Sequence, residues 1–310
     1  MKLAQIGEIE VIRRLTQHLK GNGEVIRGVG DDAAVLAYSA REYLLFSTDM
    51  LIGGVHFPSL ADLRAKREQR SAFYNVGWKA LACSISDIIA MGGIPQHCLI
   101  SLGLRADMDY SLLKQLYTGI EEIASHYRIN IVGGDVVESE EMVVNIALLG
   151  RVKKENLVLR SGAKVGDRIL LSGELRRKEK HRELPPLDKV QTLIKRFNIH
   201  SMIDISDGLI LDLSRIIKES KKGAKIYLEK IPISPSRNRR KDLLREALYG
   251  GEEFELLFTT DKDSAERIVQ ESLGYIIGEI NGKKGVIESS QGKRIEIDGY
   301  QHFKDNHPFT

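Results

Sequence analysis

Seven aspartates stand where an acid needs a reason: Asp31 and Asp32 in GVGDDAAV, Asp49 in STDM, Asp87 in SISDIIAMGG, Asp135 in IVGGDVV, and Asp204 and Asp207 in MIDISDGL. Each lies where an apolar stretch meets glycine, serine or threonine. One aspartate in that setting is ordinarily a helix cap or an Asx turn, and Asp207, just before GLILDLSRII, reads well as a cap. Asp87 does not. It falls inside ALACSISDIIAM, whose other positions are apolar or small, so its carboxylate must be buried, paired or bound to a cation. The same arrangement in five separate segments points to convergence on hard cations, which prefer oxygen ligands. Gathered carboxylates repel one another without counter-charge, so the set implies several Mg²⁺ ions held together with substrate phosphates. Ser47 and Thr48 add neutral oxygens, and backbone N–H groups in GVGDD, MGG and VGGD can cradle phosphates because glycine allows close approach.

Other chemistries are weighed on the same residues. Gly28 to Ala33 fits G-x-G-x-x-A, with Asp49 about twenty residues on, as a dinucleotide fingerprint requires. No convincing apolar strand precedes Gly28, and both x-x positions are aspartates that would turn negative charge on a pyrophosphate. Neither G-x-x-x-x-G-K-[ST] nor an HRD and DFG pair occurs, which excludes a P-loop enzyme and a protein kinase. His56, on the glycine-flexed loop GGVHF, is either a core histidine or a substrate contact.

The elements that must carry these residues follow from apolar periodicity and breakers. The pattern predicts a helix over 6–19 stopped by Gly21-Asn22-Gly23, a short helix leading to a turn, and a strand over 43–47 ending at Thr48-Asp49. A helix rich in small residues spans 74–91 and closes at Gly92-Gly93. Strands over 97–104, 129–132 and 142–152 and an amphipathic helix over 110–127 follow. The charged segment 173–189, with Pro185-Pro186, reads as a loop or linker. Beyond it come a strand over 202–205, a helix over 208–218, a strand over 225–228, a helix over 264–270, a strand over 276–280 and a hairpin over 284–297. The alternation gives an α/β or α+β chain, and its restart after about residue 155 divides it into domains 1–155 and 156–310.

The totals agree with a globular chain: 310 residues, 29% charged and 42% apolar. The 46 basic and 43 acidic residues are interspersed, so the net charge of +3 gives no reason to expect nucleic acid or membrane as partner. Cys83 and Cys98 have no zinc-site spacing and read as reduced core residues. With no apolar run of membrane length and no cleavage-site pattern, a cytoplasmic location is expected.

In the segments GVGDDAAVL, STDMLIGGVHF, GWKALACSISDIIAMGGIP, IVGGDVVES, RSGAKVGDRILLSG, MIDISDGLILDL, YGGEEFELLFT and GYQHF, the sequence resembles the thiamine-monophosphate kinases, of the aminoimidazole ribonucleotide synthetase superfamily. The segments stand in family order over residues 28–303. The resemblance implies that ATP phosphorylates thiamine monophosphate to thiamine diphosphate directly, with several Mg²⁺ ions. It also implies a two-domain fold and a homodimer whose N-terminal mixed sheets pair. On it, the metal ligands are Asp32, Ser47, Thr48, Asp49, Asp87, Asp135, Asp204 and Asp207. Gly134, Asp135, Arg160 and Ser206 contact ATP, with Tyr117 at the base, and His56, Glu252 and Phe303 hold the thiamine phosphate. No covalent nucleophile is needed, because the acceptor is already an anionic phosphate oxygen. The chain departs from the family pattern twice: GELRRKEKHRELPP replaces a glycine- and alanine-rich helix, and G-G-E-D-Y-E-L appears as GGEEFEL, with Glu253 and Phe254. The alternative is another ATP-using enzyme of the superfamily; sister enzymes that use a reactive cysteine near a terminus are disfavoured by MKLAQIGE and DNHPFT.

Overall fold

The computed structural model describes residues 2–59, 66–175, 185–234 and 240–303. In the first half, α1 (Leu3–Thr16) precedes β1 (Val25–Arg27), β2 (Ala34–Ala37), β3 (Glu42–Ile52), α2 (Lys66–Ala90), β4 (Ile94–Leu104), α3 (Tyr110–Tyr127), β5 (Asn130–Glu138) and β6 (Val143–Lys153). The strands form one sheet in the order β1-β2-β3-β6-β4-β5, antiparallel except where β4 and β5, joined through α3, run parallel. Alternation makes β6 two-faced: Val144, Ile146 and Leu148 are fully buried while their neighbours look outward. Onto that inner face packs α2, in whose second half Leu81, Ile85, Ile88 and Ile89 are all fully buried. α2 and α3 touch backbone to backbone: a Cβ on Gly77 would lie 1.9 Å from Leu116 O, and one on Gly119 would lie 2.1 Å from Tyr74 O.

The second half contains β7 (Arg168–Leu171), α4 (Leu187–Arg196), β8 (Ile199–Asp204), α5 (Leu209–Glu219), β9 (Gly223–Ile226), α6 (Arg240–Tyr249), β10 (Leu256–Thr260), α7 (Lys262–Gln270), β11 (Tyr275–Asn281) and β12 (Ile287–Ser289). Its sheet runs β12-β9-β11-β7-β10-β8. One face is sealed by α5 and α6 around Ile203, Ile210, Ile216 and Leu257. The other joins the first half: Leu170, Met202, Leu256 and Phe258 belong to one continuous core with α2 and the N-terminal sheet. That joint brings the end of β8 against the end of α2.

The structure departs from the sequence expectation in several places. The short helix expected after Gly23 is the strand β1, whose β-branched Val25 and Ile26 favour pairing with β2. GVGDD therefore links two antiparallel strands, with no helix to receive a dinucleotide. β3 continues through Thr48-Asp49 because β6 pairs with it over its whole length, and β5 runs through Gly133-Gly134-Asp135 alongside β4. The helices α4 and α6 and the strands β2, β7 and β10 were not expected. Of the segment read as a linker, 176–184 lies outside the described residues, and its end forms the first turn of α4. The expected hairpin over 284–297 is reduced to β12, paired with β9, and one bridge between Glu288 and Arg294. Among the described residues no helix is long and apolar enough to cross a membrane.

Candidate active site

A cleft of about 890 Å³ lies where the two halves meet, bordered by β3, α2, the loop after β8 and the turn before β10. At one end three segments converge. Asp32, from the turn before β2, Asp87, in the last turn of α2, and Asp204, at the end of β8, each bring one carboxylate oxygen to within 4.8 Å of the others. Arg160 holds Asp32 through two bonds to Oδ1, at 2.6 Å and 3.2 Å, and its backbone N–H donates to Asp31 Oδ1 at 3.1 Å. Asp32 Oδ2 is buried with no hydrogen-bond partner among the described residues. The Ser47 hydroxyl donates to Asp87, and the Ser84 hydroxyl donates to Asp49 Oδ2 at 2.7 Å. Because residues two apart on a strand share a face, β3 places Ser47 and Asp49 together against α2.

Electrostatics here demand a counter-charge. Burial, then repulsion from Asp49, Asp204 and Asp32, pushes Asp87 well above the ordinary carboxylate range. Burial, then Asp32 and Asp212, does the same for Asp204. Asp49 is raised chiefly by burial, against its bonds to Ser84 and Asp87, and Asp31 is pushed up to about 6 by burial and Asp32. A set of oxygen donors with an uncommitted buried carboxylate oxygen fits a hard divalent cation such as Mg²⁺, which restores the ionised forms.

Asp207 lies on the cleft wall but does not cap α5, whose N-cap is Gly208. It pairs with Arg215, which also binds Asp212. Asp212 was missed from sequence although it stands alone among the apolar residues of GLILDL. It is fully buried, accepts the backbone N–H groups of Ser206 and Asp207 at 3.1 Å each, and is pushed up to about 7, burial outweighing Arg215. It thereby fixes the loop that carries Ser206 and Asp207.

The other end of the cleft is built around Lys79, two turns before Asp87 and so roughly 12 Å from it along α2. Its ammonium pairs with Glu252 and donates to His56 O at 2.9 Å. Lys79 also escaped the sequence reading, its signal being a lone charge within an apolar helix. The Ile52 N–H donates to His56 Nδ1 at 3.0 Å, which leaves the proton of the neutral ring on Nε2. Burial, His302 and Lys79 bring His56 down to about 4, so it is neutral at pH 7. Glu252 and Phe254 have left-handed φ of 63° and 53°, and Gly251 packs where a Cβ would lie 2.0 Å from Ser206 O. Phe254 is buried edge-on to Trp78 and lines the cleft.

The remaining expected residues are not all drawn together. Ser206 lines the cleft, as does Cys83, which was read as core. Thr48 borders it while donating to Asn145 Oδ1 at 3.2 Å. Gly134 and Asp135 lie on the exposed strand β5, three strands from β3 and so roughly 14 Å away. Tyr117 sits half-buried on α3 beside Cys98, away from the cleft lining. Phe303 is exposed and outside the lining too; its neighbour His302 takes the wall position.

A two-lobed fold with acids converging at the seam defines the AIR synthase class: residues 30–152 match the family of the AIR synthase related protein N-terminal domain, and residues 160–289 match that of its C-terminal domain. The thiamine-monophosphate kinase of Aquifex aeolicus is 31% identical, covering 98% of this chain and 100% of the relative; that of Pyrococcus horikoshii is 32% identical over 97% and 98%. The chain belongs to the thiamine-monophosphate kinase family. Its fold superposes on the solved structure of AaThiL complexed with AMPPCP and TMP with a TM-score of 0.81, at 30% identity over 97% of this chain and 99% of that one. A HypE–HypF complex structure, at 21% identity and TM-score 0.71 over 94% and 99% of the two chains, shares the fold.

Proposed function

We propose that this protein transfers the γ-phosphoryl group of ATP to the phosphate of thiamine monophosphate, yielding thiamine diphosphate. The observation that carries the reading is the convergence of Asp32, Asp87 and Asp204 at one end of a cleft whose other end is lined by His56, Lys79 and Glu252. Bound Mg²⁺ would be held by that triad, with Asp49, Ser47, Thr48 and Asp207 adjoining, and would neutralise the charge gathered on two phosphate chains. Arg160 fixes Asp32 for this role, Ser47 and Ser84 orient Asp87 and Asp49, and Ser206, on the cleft wall, would contact the nucleotide. Neutral His56 donates from Nε2 to an incoming phosphate oxygen or ring nitrogen. Direct transfer needs no covalent intermediate, because the acceptor is already an anionic phosphate oxygen, and burial holds the Cys83 thiol well above its ordinary range. The reaction belongs to the cytoplasm, where ATP is supplied.

The active form in this reading is a homodimer. All nine residues of β5 are exposed, Val132, Val136 and Val137 among them, and the same sheet exposes Phe46, Met50 and Leu99. An apolar edge strand of this length calls for a covering partner, and a second copy would bring its own Gly134 and Asp135 towards Thr48 and the cleft.

The test is ADP release with ATP, Mg²⁺ and thiamine monophosphate, run beside thiamine and an aminoimidazole ribonucleotide precursor. Turnover confined to thiamine monophosphate and lost in Asp87→Asn is the expected result. Turnover with another acceptor instead would move the protein to a sister activity.

A further inference from the structure

One acid in the cleft comes from an element that the reaction scheme leaves unused. α1 is exposed along most of its length, but Gly7 interrupts it with φ 71° and ψ 169° and is its buried residue. The break turns the next residue inward: Glu8 lines the cleft, while no other residue of α1 does so. Glu8 Oε2 accepts the backbone N–H of His302 at 2.9 Å, and no hydrogen bond engages Oε1 among the described residues. The acid also faces Tyr300, whose phenol is raised by burial and then by Glu8. The His302 ring lies 5.1 Å from both the His56 and the Tyr300 rings, which places Glu8 at the Lys79 end, away from the triad.

Charge at this end divides unevenly. Glu252 is paired with Lys79, His56 carries no charge at neutral pH, and Arg245 and Asp298 add one charge of each sign to the cleft wall. Glu8 therefore keeps a carboxylate oxygen free beside three rings, an arrangement suited to a flat cationic heterocycle. Thiamine monophosphate has such a group in its thiazolium, a fixed charge that cannot be lost to the solvent. We propose that Glu8 is a specificity-determining residue: it receives the positively charged ring of the substrate and discriminates against phosphate esters whose ring is neutral. This rests on the acceptor proposed above. The aspartate triad secures the phosphate end, and Glu8 selects what is attached to it.

The experiment compares wild type with Glu8→Gln, which keeps an oxygen for the His302 N–H and removes only the charge. Steady-state kinetics use thiamine monophosphate and deazathiamine monophosphate, whose thiophene ring is neutral; calorimetry with thiamine and deazathiamine reads ring binding without turnover. The substitution should raise KM for thiamine monophosphate about tenfold, with kcat and KM for ATP changed less than twofold, and leave KM for the neutral analogue unaltered. An equal rise for both esters means Glu8 only supports the chain at His302 and overturns the inference, as does no rise for either. Should wild type fail to phosphorylate thiamine monophosphate, the proposed reaction falls. Calorimetry still decides Glu8: weaker thiamine binding in the variant, with deazathiamine unaffected, sustains it, and equal binding overturns it.

Discussion

Asp204 ends β8 with its carboxylate buried between Asp32 and Asp212, so in the folded protein it holds a proton far more tightly than in the unfolded chain. Asp87 behaves likewise, and Asp31 and Asp212 rise to about 6 and about 7. For an acid whose folded value is raised, the stabilising contribution is complete below its unfolded value, near 4, and is lost as pH climbs through the folded one. The metal-free protein is therefore expected to lose stability as pH rises from about 4 through about 7, and the rise in Tm on adding Mg²⁺ to grow across the same interval. In Asp204→Asn the metal-free Tm should stay level or rise, the Mg²⁺ increment should shrink by about 3 °C or more, and turnover should collapse. Thermal melts with and without Mg²⁺ at three pH values check each point; a Mg²⁺ increment that shrank with pH would contradict the charge cluster. The acids of this end were legible because an aspartate inside an apolar run has few peaceful explanations. Lys79, Asp212 and Glu8 were not, since a lone charge in a helix is ordinarily on its wet face and only tertiary packing turns it inward.

Among elements, α2 has the most to position, carrying Lys79 and Asp87 on the cleft and Ser84 beneath Asp49. Its seat against α3 depends on Gly77 and Gly119, where any Cβ would overlap carbonyl oxygen of the other helix. Gly119→Ala must push the helices apart, at a cost of about 1–3 kcal/mol, and should lower Tm by about 3–10 °C. Because the two glycines guard one crossing, the Gly77→Ala/Gly119→Ala double variant should lose less than the sum of the singles, read from the three melting curves. α3 was foreseen over its full length because one amphipathic period runs from end to end. The polar start of α2, KREQRS, hid its first turns. Short buried strands such as β7 and β10 carry no alternation to detect: all five residues of LLFTT are buried, for reasons that lie in neighbouring strands.

At the scale of the whole molecule, two of the expected residues that lie outside the cleft, Gly134 and Asp135, share the exposed strand through which a dimer is proposed. If the partner supplies Asp135, two inactive variants should rescue each other. Random exchange of Asp49→Asn and Asp135→Asn subunits leaves one intact site in each heterodimer and about a quarter of wild-type turnover in the mixture. A mixture as dead as its components would place Asp135 within its own chain's site. Such assembly was visible in sequence only through family resemblance, since periodicity describes a strand but not what covers its far side. The seam between the halves has a different consequence. Leu170, Met202 and Phe258 lie in the same apolar interior as Ile85 and Ile146, so the two lobes are welded where many kinases have a hinge. Swinging one lobe over the other would have to open that shared apolar interior, which the burial of these side chains opposes. Any motion that admits and releases substrates is then expected at the rim, in the Gly250-Gly251 turn and the chain from Asp298 to His302 that line the cleft, with the frame behind them as more anvil than jaw.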